Sequence, residues 1–206
     1  MVENVRRPAG PFPTLPSGMD KILKEHFDRF MERGEFPPEL REQDGIDGCL
    51  LFNDEEKLRI WRDGRRGGIQ YLDEESGVLL RGAVDNILVK GEKLIVLDYK
   101  TRGRSPEGDT HEYSRRYYQT QMDIYNFLLR KNGYQTEDYA YLLFYYPNQV
   151  TETGEVIFDT ELVKMPTDPE RGEKVFKKAI ELLQLEEPPE SSPDCAFCRF
   201  RGDLSL

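Results

Sequence analysis

The chain has 206 residues, enough for one sizeable core, with 37% hydrophobic and 33% charged residues and a formal charge of −10. No apolar run nears the roughly 20 residues that a membrane helix needs, and three cysteines make no disulfide framework. A reducing cytoplasm therefore fits, and no membrane partner is expected. The balance of 29 Lys and Arg against 39 Asp and Glu tells against a surface that is basic all over, although nucleic acid needs only one local basic face.

Residues 1–18 read as an extended arm, because Pro8, Pro11, Pro13 and Pro16 block a helix, and they lack the apolar segment of a signal peptide. Ser17 caps a first helix expected over residues 18–33, where Met19, Ile22, Leu23, His26, Phe27 and Phe30 recur at helical spacing. Gly34 and Pro37-Pro38 end it. A short apolar run follows from Cys49 to Phe52. Asn53 then caps a short helix carrying Leu58, Ile60 and Trp61, a stretch that could also be a strand. Ile69–Tyr71 and Val78–Leu80 read as strands joined by the acidic turn Asp73-Glu74-Glu75-Ser76-Gly77.

Two apolar runs joined at Lys90-Gly91-Glu92-Lys93 come next and form a hairpin. A polar loop is expected over 102–111, then a helix over 112–131 with Tyr117, Gln121, Ile124, Tyr125 and Leu128 on one face. Tyr139–Tyr146 is an aromatic-rich strand closed by Pro147, and Val156–Val163 is another. Asp168-Pro169 starts a last helix over 169–185. The tail 186–206 is Pro-rich and acidic and contains a Cys-x-x-Cys pair. The whole reads as one mixed α/β or α+β domain, a central mixed sheet flanked by helices.

The hairpin carries the chemistry. Leu94-Ile95-Val96-Leu97 is continuously apolar, as in a strand covered on both faces, and Asp98-Tyr99-Lys100 follows it directly. Alternation points Asp98 and Lys100 the same way, roughly 6.5–7 Å apart along the strand, and neighbouring strands lie about 4.8 Å apart. The hairpin can thus set Asp85 beside Asp98. Two carboxylates and an ammonium at the edge of a core suit a hard divalent cation and a phosphate ester. The plainer alternative is a salt bridge closing a hairpin.

Gly82-Ala83-Val84-Asp85 followed by Ile95-Val96-Leu97-Asp98-Tyr99-Lys100-Thr101 resembles the core of the PD-(D/E)XK nuclease superfamily. The Asp-Tyr-Lys-Thr form, with Gln121-Met122-Asp123-Ile124-Tyr125 on the next helix, is similar to its RecB-type exonuclease branch. The resemblance implies a restriction-endonuclease-like core. It implies Asp85, Asp98 and the Tyr99 backbone carbonyl as ligands of Mg²⁺ or Mn²⁺, and Lys100 as the group that orients water or stabilises developing charge. Gln121 and Tyr125 share one helix face. The resemblance assigns Gln121 to orienting Lys100 or the DNA end and Tyr125 to DNA or the site, whereas packing alone would put Tyr125 in the core.

Relatives carry one more ligand on the first helix. His26 is the candidate here, although on the apolar face a hydrogen-bonded core histidine is the blander explanation. Many relatives also hold an iron–sulfur cluster on four cysteines. Cys195 and Cys198 match two of them, Cys49 falls out of place, and no cluster is expected. Arg102, Arg104, Arg115 and Arg116 flank the site in sequence and form the candidate nucleic-acid face, with Arg62, Arg65 and Arg66 as a further group. The expected function is metal-dependent cleavage of DNA, at single strands or duplex ends, as a RecB-type exonuclease of repair, recombination or defence. A protein partner in a larger complex is compatible with this. The alternative is a catalytically silent module that binds nucleic acid or protein.

Overall fold

The run Leu94–Leu97 lies buried inside β5 (Lys93–Thr101), the central strand of a five-stranded sheet. The computed structural model describes residues 14–41, 43–103, 108–187, 189, 190, 192 and 195. Strand order across the main sheet is β1 (Cys49–Leu51), β4 (Asn86–Lys90), β5, β6 (Tyr139–Val150) and β7 (Val156–Pro166). β5 runs antiparallel to β4 and parallel to β6, so the sheet is mixed. A second, two-stranded antiparallel sheet pairs β2 (Ile69–Leu72) with β3 (Leu79–Gly82). The fold is mixed α+β, with the central sheet flanked by helices, as the patterning predicts.

The helices are α1 (Thr14–Met31), α2 (Pro38–Arg41), α3 (Glu55–Trp61), α4 (Thr110–Lys131) and α5 (Pro169–Leu183). Successive side chains of β5 point to opposite faces, and this assigns the two long helices. Tyr99 meets Phe27 of α1 at 4.6 Å between ring centroids, whereas Lys100 reaches Gln121 of α4. α4 buries Met122, Tyr125, Phe127, Leu128 and Leu129. α5 packs on α4 at Gly172, where a Cβ would come within 2.6 Å of the Asp123 carbonyl oxygen.

Several boundaries differ from the sequence reading for physical reasons. α1 begins at Thr14, so residues 14–18 are helical rather than an arm; Pro16 sits in the first turn, where a missing N–H costs no bond. Residues 1–13 lie outside the described residues, as does most of the tail beyond 187. Asp54 rather than Asn53 caps α3, accepting from the Lys57 amide. Asp109 caps α4, which starts two residues early. β6 does not stop at Pro147 but continues to Val150. Past Tyr145 it pairs with β7 alone, and a bulge lies between Pro147 and Gln149, so the proline falls where no ladder bond toward β5 is needed. Among the described residues no helix is long and apolar enough to cross a membrane.

Candidate functional site

The hairpin register sets the geometry. Asn86 pairs with Leu97, and one step outward the same register puts Asp85 opposite Asp98. Asp85 immediately precedes β4, and its Oδ2 accepts from the Tyr99 amide at 2.9 Å. That bond ties the Asp85 carboxylate to the backbone between Asp98 and Lys100. Arg62, at the end of α3, holds the same point from behind. Its Nε donates to the Asp85 carbonyl at 2.7 Å, and its Nη1 binds both Asp28 oxygens of α1 at 2.8 and 2.9 Å. The single Nη1 thus bridges both oxygens in a charge-assisted contact. Arg62 is thereby engaged in the scaffold through Nε and Nη1, while its Nη2 is buried without a hydrogen-bond partner among the described residues.

Asp98 is only 2% exposed and forms an ion pair with Lys100, two residues on. Burial and the nearby Asp85 charge push its carboxyl up to about 7, against the opposing pull of Lys100 and Lys24. Gln121 completes the cluster. Its Oε1 accepts from Lys100 Nζ at 3.2 Å, and its Nε2 donates to the Tyr125 hydroxyl at 2.9 Å and reaches Asp98 Oδ1 at 3.5 Å. A lysine can only donate, so the amide must turn its oxygen to Lys100 and its nitrogen to Asp98 and Tyr125. Tyr125 itself is buried, and burial raises its phenol well above the usual range. It holds Gln121 and is only 8% exposed.

Gly82 explains how Tyr125 gets so close. A Cβ at this residue would stand 2.8 Å from Leu128 Cδ1 and 2.9 Å from Tyr125 Cε1, so α4 approaches β3 only because residue 82 has no side chain.

One participant has no signal in the sequence. Lys24 of α1 places its Nζ 3.0 Å from Asp85 Oδ1 and 2.7 Å from Asp20 Oδ1. Burial works against the ammonium, but Asp85 and Asp20 outweigh it and its pKa is raised, so it stays charged. The helical repeat shows which side of α1 is apolar, but not which polar flank abuts the hairpin. His26 is not brought to this cluster. Its Nε2 pairs with Glu39 at 3.0 Å and its ring packs edge-on against Phe30. Among the described residues no three His, Cys, Asp or Glu side chains converge as a metal-binding group.

The donor set still suits a hard cation. Asp85 and Asp98 are adjacent carboxylates whose mutual repulsion calls for positive charge, here supplied by two ammonium groups. Two carboxylates fit an ion that keeps several of its waters, as Mg²⁺ does. A cleft lined by Pro16, Asp20, Leu23, Tyr99, Lys100 and Thr101 opens beside Lys100.

Of the four candidate arginines, Arg102 stacks on Tyr113, Arg116 lies over Tyr117, and Arg115 is exposed on α4. Arg104 lies outside the described residues. Cys49 is buried at the start of β1, Cys195 is half-buried, and Cys198 lies outside the described residues.

A family model for the PD-(D/E)XK nuclease superfamily matches residues 6–202. Among solved structures, the crystal structure of SSO0001 aligns with a TM-score of 0.44 and 16% identity, covering 93% of this chain and 70% of that one. A comparison with curated proteins returns no match.

Proposed function

Because the chain belongs to the PD-(D/E)XK nuclease superfamily, we infer that it hydrolyses phosphodiester bonds of DNA at the cluster of Asp85, Asp98 and Lys100. The observation that carries this reading is the tie between Asp85 and the Tyr99 amide, which gathers both carboxylates and the lysine at one end of β5. Nucleases of this superfamily generally use divalent metal ions. Asp85, Asp98 and the Tyr99 carbonyl would hold Mg²⁺ or Mn²⁺, which when bound supplies Lewis-acid polarisation of the phosphoryl group and a more acidic water. Lys100 places positive charge where negative charge develops on the phosphoryl oxygens. Gln121 fixes the Lys100 ammonium, and Tyr125 fixes Gln121. The Gln-x-x-x-Tyr pair on α4 supports a RecB-type exonuclease acting on single strands or duplex ends in repair, recombination or defence, within a larger complex or alone.

A second reading has its own support. Lys24 already sits on Asp85, and His26 is engaged elsewhere. Both favour a module that binds nucleic acid or protein without cutting. End-labelled single- and double-stranded DNA incubated with Mg²⁺, Mn²⁺ or EDTA separates the two. Metal-dependent shortening that disappears in Asp98→Ala supports the nuclease. Binding with no cleavage under any metal supports the silent module.

A further inference from the structure

A row of aromatic rings interleaved with cations leads away from Lys100 along the first turns of α4. Lys100 Nζ lies 4.7 Å from the Tyr118 ring centroid, and Tyr118 meets Tyr113 edge-on at 6.1 Å. Arg102, two residues past Lys100, lays its guanidinium 3.8 Å over Tyr113. Tyr113 and Tyr117 are one turn apart with centroids at 4.5 Å, and Arg116 lies 5.6 Å over Tyr117. A single exposed tyrosine is ordinary. The continuity of this row is not, nor is its outer end, where Tyr117 is 57% exposed. Arg102 is fixed within the row by its stacking on Tyr113, with its Nη1 buried.

We propose that Tyr118, Tyr113 and Tyr117, with Arg102 and Arg116, form a track for an unpaired nucleic-acid strand whose reactive phosphate lies at Lys100. The proposal rests on the nuclease reading and adds substrate form to it. Aromatic side chains bind single strands by stacking on bases, and every base has a face to offer. In a duplex those faces are covered by neighbouring pairs, so the rings would find nothing to stack on. Arg102, stacked on Tyr113, and Arg116, over Tyr117, add positive charge beside the rings. Asp109 and Glu112 border the same cleft and oppose the phosphate backbone, so stacking rather than charge carries the affinity. Binding should therefore depend on salt less steeply than that of a basic groove.

The test is anisotropy of a fluorescein-labelled oligothymidylate, an oligouridylate and a hairpin duplex, in EDTA so that nothing is cut. Tyr117→Ala is expected to weaken both single strands about five-fold or more, to leave the duplex unchanged, and to melt at the wild-type temperature. Tyr117→Phe should restore single-strand binding. If Tyr117→Ala binds single strands as the wild type does, or weakens single strand and duplex alike, the track is refuted while the nuclease reading stands. Wild-type protein that binds neither single strand would also refute the track, whereas the nuclease reading falls only if no strand is cut with Mg²⁺ or Mn²⁺.

Discussion

The Lys24 ammonium of α1 lies 3.0 Å from Asp85 Oδ1, so the carboxylate that anchors the hairpin to Tyr99 already carries a positive partner from a different helix. Lys24 and Lys100 together offset the charge of Asp85 and Asp98. A divalent cation entering this cluster must displace or outcompete Lys24.

Lys24→Met should consequently tighten Mn²⁺ or Mg²⁺ binding, by about five-fold or more. At contact distance an ammonium near a protein surface interacts with a carboxylate by up to about 4 kcal/mol. Calorimetric titration of the metal-free protein measures this directly, without reference to cleavage. Equal affinity in wild type and variant would show that Lys24 does not compete. The same variant should lower apo stability by ~1–3 kcal/mol, since Asp85 and Asp20 both lose a partly buried partner.

Asp98→Asn keeps the side-chain shape and removes a charge that burial and Asp85 both oppose. The apo variant should unfold at a higher temperature than the wild type while losing metal-dependent cleavage. Lys100 retains the Gln121 oxygen as its partner. A folded variant that cleaves at the wild-type rate would remove Asp98 from the site.

Gln121→Ala breaks the link between Lys100 and Tyr125. It leaves the buried Tyr125 hydroxyl without its donor, at a cost of ~1–2 kcal/mol. Because Gln121 acts through Lys100, kcat should fall at least ten-fold with KM little changed. A rise in KM at constant kcat would instead make Gln121 a substrate contact.

Gly82→Ala drives a methyl into Leu128 and the Tyr125 ring. Overpacking of this kind costs ~1–3 kcal/mol. Chemical denaturation should show that loss, and the displaced Tyr125 should lower cleavage beyond what instability explains. Wild-type stability would mean that α4 shifts away freely, contrary to its packing on β3.

Local periodicity made the hairpin legible. Alternation in β5 fixes Asp98 and Lys100 on one face, a four-residue turn fixes the register, and Asp85 must then fall opposite Asp98. The i, i+4 spacing of Gln121 and Tyr125 likewise needs no tertiary information. Lys24 and Arg62 were not legible, because each acts through partners far along the chain. Lys24 lies 61 positions before Asp85, and Arg62 lies 34 after Asp28. The apolar stripe of α1 drew attention to His26, yet the helix turns that side toward Glu39 and presents the flank with Asp20 and Lys24 to the hairpin. Pro147 misled for a related reason: whether a strand tolerates proline depends on how far its neighbour extends.

Asp98 and Lys100 sit where β5 has run past the start of β4, so there the strand pairs with β6 alone. The innermost strand of a sheet opens only when the whole domain does. That protection covers the doubly paired stretch up to Leu97 and not the cluster beyond it. Fraying of α1 would release Lys24 from Asp85, while Asp98 and Lys100 stay tied through the ladder to β6. The cluster thus joins the protected middle of the sheet to a margin held by one neighbouring strand, which leaves room for adjustment at the margin and in the helices beside it.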